Sequence, residues 1–203
     1  MFETYRINDH RLVGAPFRPS PNCSGIIRPE AIVIHYTAGE SGAADWLCQP
    51  EARASAHVVI GRQGRVTQLV PFNRRAWHAG RSSWHGRPGL NGWSIGIELE
   101  NWGACRATDV GVETWTGRKL EPGRLQLARH RNEDARTWWE TYPAAQVASC
   151  ILLCASLVEA YPGIGRILGH DDVAPGRKRD PGPLFPMELV RRVCLPATAA
   201  RAA

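Results

Sequence analysis

Six consecutive residues, Ala31-Ile32-Val33-Ile34-His35-Tyr36, show no polar–apolar alternation and stop at Thr37-Ala38-Gly39. A strand-length run of that kind has no side to offer water. It needs apolar cover on both faces, as in the central sheet of an α/β protein. Other segments fit beside it. In 94–99, Ile95, Ile97 and Leu99 share one face, while Gly96 and Glu98, with Glu100 just beyond, share the other. Residues 164–168 form another short apolar run, and 56–60 and 66–70 flank Gly61-Arg62-Gln63-Gly64, a hairpin signal.

The strongest helical pattern spans 144–161. There Val147, Ile151, Cys154, Val158 and Tyr161 recur at three- and four-residue spacing between Pro143 and Pro162-Gly163. Shorter helices are predicted at 42–48, ended by Pro50, and at 187–193, after Pro186. Residues 102–142 have no strong period and mix polar residues with Trp115, Trp138 and Trp139. They read as a long excursion holding one short helix, and a loop of that length in a compact domain is functional or mobile. Residues 1–30 read as an extended segment wrapping the domain, and 196–203 as a flexible tail. The expected architecture is a single α/β domain over 31–195, with a central mixed β-sheet flanked by helices and 102–142 as an insertion.

No stretch reaches the length of a membrane span, and the first eleven residues lack the apolar core of a signal peptide. Synthesis in the cytoplasm without membrane insertion is therefore expected, with action on a cell wall requiring release or export. A net charge of +6 favours polyanionic partners: nucleic acid, anionic lipid or the acidic polymers of a bacterial wall. The arginines are scattered and no nucleic-acid motif is present, so nucleic acid is not the expected partner. The six cysteines contain no CxxC pair and read as buried free thiols.

Residues 169–183, Gly-His-Asp-Asp-Val-Ala-Pro-Gly-Arg-Lys-Arg-Asp-Pro-Gly-Pro, follow the run at 164–168. Glycine and proline leave such a loop few backbone states, which suits it to holding side chains still. It carries His170, Asp180 and Lys178, one of two lysines in an otherwise Arg-rich chain. His35 ends the first strand, and Glu98 lies on another. Two histidines and a carboxylate make a catalytic zinc set whose fourth position is open to water. Such an ion makes hydroxide available near neutral pH. Glu98 could then serve as general base and Lys178 as donor to an oxyanion. Each residue also has a plainer reading: a core histidine, a turn aspartate before proline, a solvated strand glutamate.

The blocks AIVIHYTA (31–38), SAHVVIGRQGRVTQLVPFNRRAWHAG (55–80), NGWSIGIELEN (91–101) and GHDDVAPGRKRDPGP (169–183) decide between these readings. In this order they resemble the zinc-dependent N-acetylmuramoyl-L-alanine amidases (amidase type 2). The resemblance is to the AmpD/AmiD-like branch of the peptidoglycan-recognition and phage-lysozyme superfamily. It implies that fold and one zinc ion per chain on His35, His170 and Asp180. It further implies Glu98 as catalytic carboxylate, Lys178 as oxyanion donor, and Trp77 and His78 beside the substrate. The implied reaction cleaves the amide between N-acetylmuramic acid and L-alanine of peptidoglycan or soluble muropeptides. The alternative is a non-catalytic peptidoglycan-binding module. The chain has Ala56 where some phage members carry a catalytic tyrosine, which rests the chemistry on Glu98. His57 is expected to be a hydrogen-bonded core residue.

Overall fold

The computed structural model describes residues 5–196; the tail expected from 197 onward lies outside them. The apolar run forms β1 (Ala31–Tyr36), with five of its six residues buried. The hairpin supplies β2 (Val58–Ile60) and β3 (Val66–Gln68), and the alternating segment supplies β4 (Ser94–Leu99). Arg166–Gly169 is β5, and the sheet order is β5-β1-β4-β2-β3. All neighbours are parallel except β2 and β3. Three helices of note accompany it: α1 (Ala43–Leu47), the long α2 (Ala144–Ala160) and α3 (Met187–Cys194).

The absence of alternation in β1 has the expected consequence. On one face Ile32 and Ile34 join Ile95, Ile97 and Leu99 of β4 against Cys150, Leu153, Cys154 and Leu157 of α2. On the other, Ala31, Val33 and Leu168 meet Ala79, Leu90, Trp93 and Val173. Each large aliphatic side chain buried in this way contributes on the order of 1.5–3 kcal/mol. The helical stripe sits about one position from the one expected. Val147, Ile151 and Val158 are half-buried, whereas Cys150, Leu153, Cys154 and Leu157 face the sheet. The hairpin turn meets α2 closely: Gly64 has φ of +82°, and a β-carbon there would lie 2.7 Å from the Ala145 carbonyl oxygen.

Residues 102–142 correct the sequence reading. Instead of a loop with a short helix, they form an antiparallel sheet of Ala104–Thr108, Gly111–Glu113, Leu125–Arg129 and Arg136–Glu140. The helical element is one 3-10 turn, Pro122–Arg124. Within these strands Cys105, Trp139 and Glu140 are buried, and the remaining positions are half-buried or exposed. The described part of the N-terminal segment forms a small hairpin, Ile7–Asn8 with Arg11–Leu12. Its strand Cys23–Ile26 pairs with Arg74–Ala76. All six cysteines are free thiols, four buried and two half-buried. Among the described residues no helix is long and apolar enough to cross a membrane.

Candidate active site

Strands β5, β1 and β4 lie side by side, and their registers put three reactive positions abreast. Glu98 pairs in register with His35, and Gly169 pairs with Ile34, so His170 arrives level with His35. Parallel strands end at a common edge, where loops can add further groups. The Gly/Pro-rich loop folds back over that edge. The Asp171 N–H donates to the Asp180 carbonyl at 2.8 Å, returning Asp180 to the strand end that the chain left at His170. The Asp180–Pro181 peptide bond is cis.

The three expected ligands meet. His35 Nδ1 and His170 Nδ1 are 2.9 Å apart, and Asp180 Oδ2 lies 3.0 Å from the first and 2.8 Å from the second. All three residues are buried. Their protonation follows from what the other ring atoms do. His170 Nε2 donates to the Ala79 carbonyl at 3.1 Å. His35 Nε2 lies 3.0 Å from His78 Nδ1, and His78 Nε2 lies 3.3 Å from Ser94 Oγ. The Ser94 hydroxyl is committed as donor to the Leu90 carbonyl at 2.6 Å. Its oxygen therefore accepts from His78 Nε2–H, which leaves His78 Nδ1 to accept from His35 Nε2–H.

Both Nδ1 atoms then present bare lone pairs. Burial, with His170 beside it, pushes the His35 pKa down to about 4 against the pull of Asp180, so the ring is neutral at pH 7. The Asp180 carboxylate, which can only accept, adds a third lone-pair donor at the same point. Three acceptors converging without a proton among them repel one another unless a cation lies between them. Two imidazoles and one carboxylate oxygen are also the donor types that zinc takes. The residues fit the ion.

Glycine makes the second layer possible. A β-carbon at Gly96 of β4 would fall 2.4 Å from His78 Cγ, so the ring reaches His35 through the space left by an absent side chain. His78 borders the cleft above the trio, but both its ring nitrogens are engaged, one of them with His35. His57 accepts from the Gly96 N–H at 2.9 Å and donates to the Arg74 carbonyl at 2.9 Å, so it is spent on backbone.

The trio opens into a cleft of about 590 Å³ that Glu98, Lys178 and Trp77 also line. Glu98 Oε2 is buried without a hydrogen-bond partner. Burial and the Asp180 charge push its pKa up to about 8, with Lys178 opposing them. A cation in the trio would act in the same direction as Lys178, toward the ionised form. Trp77 is 37% exposed, and its indole N–H donates to Ser24 Oγ at 3.2 Å.

Sequence reasoning missed Ser94 and His130. His130 Nε2 bonds Asp171 Oδ2 at 3.0 Å, one residue from the expected ligand His170. His130 gave no signal because its strand neighbours show no period. Ser94 could have been suspected from facing the same side as Gly96 and Glu98.

Comparison with known proteins gives a consistent picture. A family model described as N-acetylmuramoyl-L-alanine amidase matches residues 27–183. The chain is 38% identical over 134 residues to the 1,6-anhydro-N-acetylmuramyl-L-alanine amidase AmpD of Escherichia coli, covering 66% of this chain and 54% of that protein. It thus spans about half the length of the curated relatives it matches. Against the solved structure of a selenomethionine derivative of AmpD the TM-score is 0.63 at 29% identity, covering 93% of this chain and 98% of that one. Escherichia coli AmiD, solved with its substrate anhydro-N-acetylmuramic acid-L-Ala-D-γ-Glu-L-Lys, gives 0.63 at 30% identity, covering 85% and 60%.

Proposed function

The chain belongs to the N-acetylmuramoyl-L-alanine amidase family, and on that footing we propose that it hydrolyses the amide joining N-acetylmuramic acid, in its 1,6-anhydro form or not, to L-alanine. The observation that carries this reading is the buried convergence of His35, His170 and Asp180 at the floor of a cleft that also holds Glu98 and Lys178. The catalytic unit we assign is 31–195, with 1–30 wrapped on it and 102–142 inserted.

His35, His170 and Asp180 would hold zinc, which when bound polarises a carbonyl and makes hydroxide available near neutral pH. The chain's own residues do the rest. Glu98 takes the proton of the attacking water and delivers one to the leaving amine; its unpartnered buried oxygen is supported on no other group, so it is free for that exchange. The Lys178 ammonium donates to the oxygen that gains charge as the carbonyl becomes tetrahedral, a contribution commonly worth about 3 kcal/mol of barrier. The lone pairs on both Nδ1 atoms are kept free by the donor roles of the two Nε2 atoms, fixed by Ala79 and by His78 with Ser94.

The test is hydrolysis of an anhydro-N-acetylmuramoyl tripeptide, followed by mass spectrometry of the free sugar and free peptide. Release should stop on chelation and return with zinc. Binding of the substrate without release, at any zinc level, would instead make the protein a peptidoglycan-binding module.

A further inference from the structure

His130 is a polar side chain only 1% exposed, and no step of the amide hydrolysis uses it. It follows the strand Leu125–Arg129 of the inserted sheet and opens a turn, closed by the Glu133 N–H on the His130 carbonyl at 3.1 Å. Its ring stacks on Trp139, with centroids 5.7 Å apart and planes 22° from parallel. The tautomer is fixed locally. Nδ1 accepts from the Asn132 N–H at 3.2 Å and so holds no proton. Nε2 therefore carries the proton and donates it to Asp171 Oδ2 at 3.0 Å.

Asp171 is a point from which two candidate ligands can be placed together. It is the next residue after His170, and its own N–H donates to the Asp180 carbonyl at 2.8 Å. Its Oδ1 packs on bare backbone: a β-carbon at Gly169 would fall 2.2 Å from that oxygen. Its Oδ2 is anchored by His130. The Arg131 guanidinium stands 3.8 Å from the same oxygen but is 51% exposed, so water screens its charge. The neighbouring pairs, Arg131 with Asp172 and Arg179 with Glu133, also run through partly exposed side chains. Only His130 meets this segment with both partners buried, and a donor to a buried carboxylate is the stronger constraint.

We propose that His130 is a positioning residue for the candidate metal centre: from the inserted sheet it holds Asp171, and Asp171 holds His170 and Asp180 together for the ion. The proposal rests on the zinc amidase reading of the trio and deepens it. The insertion becomes a working part of the metal site, although none of its side chains belongs to the trio. Without the Nε2–H donor the Asp171 side chain loses its anchor. The backbone bond that returns Asp180 to the end of β5 is then held less firmly.

The test measures zinc affinity of the full chain by chelator competition, and ligand geometry by the visible absorption of the Co2+-loaded protein. His130→Phe keeps a ring for Trp139 but cannot donate. It should weaken zinc binding roughly 10–100-fold and change the Co2+ band. His130→Gln gives up the ring but can present an amide N–H to Asp171, and should recover most of the affinity. A role in packing alone would reverse that order, with the Gln variant the weaker binder. Either that reversal, or affinities and spectra unchanged across the set, overturns the proposal. The double variant His130→Phe/Asp171→Asn leaves no unpaired buried charge, so it keeps the test open if the single variant does not fold. Its loss should match that of His130→Phe, and a further loss of about tenfold would show two independent effects and overturn the linkage. A parent that binds zinc but releases no peptide from an anhydro-N-acetylmuramoyl tripeptide would defeat the amidase reading, while the affinities still decide the role of His130. A parent that binds no zinc would defeat both.

Discussion

The two sheets of this molecule are built on opposite terms. The β5-β1-β4-β2-β3 sheet is held by apolar cover on both faces, and its reactive residues stand at the ends of adjacent parallel strands. The inserted sheet buries few apolar side chains, Trp139 the largest of them, and is fastened largely by charge. Glu140, buried, receives Arg62 at 2.9 Å and Arg124, and Arg124 also reaches Glu40 at 2.7 Å. Glu133 binds Arg179 at 2.5 Å, Arg131 pairs with Asp172, and His130 bonds Asp171. The second set of latches falls on 171–179, the segment between the candidate ligands His170 and Asp180. The apolar sheet thus places the candidate site, and the polar one grips the loop that folds over it.

The largest expected effect breaks the first half of that contrast. Glu98→Gln, on the apolar sheet, should lower turnover about 10²–10⁴-fold with zinc content unchanged, as read by single-turnover assays and metal analysis. A variant within threefold of the parent would remove Glu98 as the proton carrier. The second half is tested by Glu140→Gln. Two arginines would lose the full charge they share in a buried setting, costing about 3 kcal/mol in urea unfolding of the metal-free protein. The loss in kcat/KM should be far smaller than that of Glu98→Gln. A stability change under about 0.5 kcal/mol would mean the inserted sheet is held by something other than these charges.

A smaller effect separates support from chemistry within the apolar sheet. His78→Ala should weaken zinc binding roughly 10–100-fold in chelator competition, because His35 loses the acceptor that fixes its tautomer. His78→Gln, which offers an amide oxygen to the same N–H, should recover part of the affinity. Equal affinities for parent and both variants would leave His78 as packing alone.

The same contrast explains what was legible in the sequence. Ala31–Tyr36 announces itself as an unbroken apolar run, and Ser94–Leu99 and the helix at 144–160 through the period of their apolar residues, since their cover is apolar. His35 and His170 stand at or just past strand ends and Asp180 lies in the Gly/Pro-rich loop, so spacing alone left them open, and it was the resemblance of the four blocks that singled the three out. Leu125–Arg129 buries no side chain and Arg136–Glu140 buries only the adjacent pair Trp139 and Glu140, so neither shows a period-two signal. Apart from Arg124 with Glu140, their fastenings join residues 41 to 84 positions apart, such as His130 with Asp171 and Arg124 with Glu40, and no local window contains both partners. The helix face on α2 slipped by one position for a related reason. Apolar residues surround much of that helix, and only the sheet decides which of them are covered.

The smallest prediction concerns pH and the metal-free protein, where the apolar sheet bears a cost for its reactive group. Burial and Asp180 raise the Glu98 pKa from 4.5 to about 8. Between those values the folded chain retains a proton that the unfolded chain has released, so this group's contribution to stability falls as pH rises through the window and levels off above it. Glu98→Gln stays neutral and escapes that loss. Its stability relative to the parent should therefore grow from about pH 4.5 to about pH 8, by on the order of 1–2 kcal/mol once water in the cleft is allowed for. Thermal unfolding in chelator at a series of pH values reads the difference directly. Zinc should shrink it, because a cation beside Glu98 favours the ionised form in the parent. A difference that is flat with pH would show that the carboxylate is already solvated in the folded chain. The cleft floor would then be wet, and Glu98 would ionise there as it does in water.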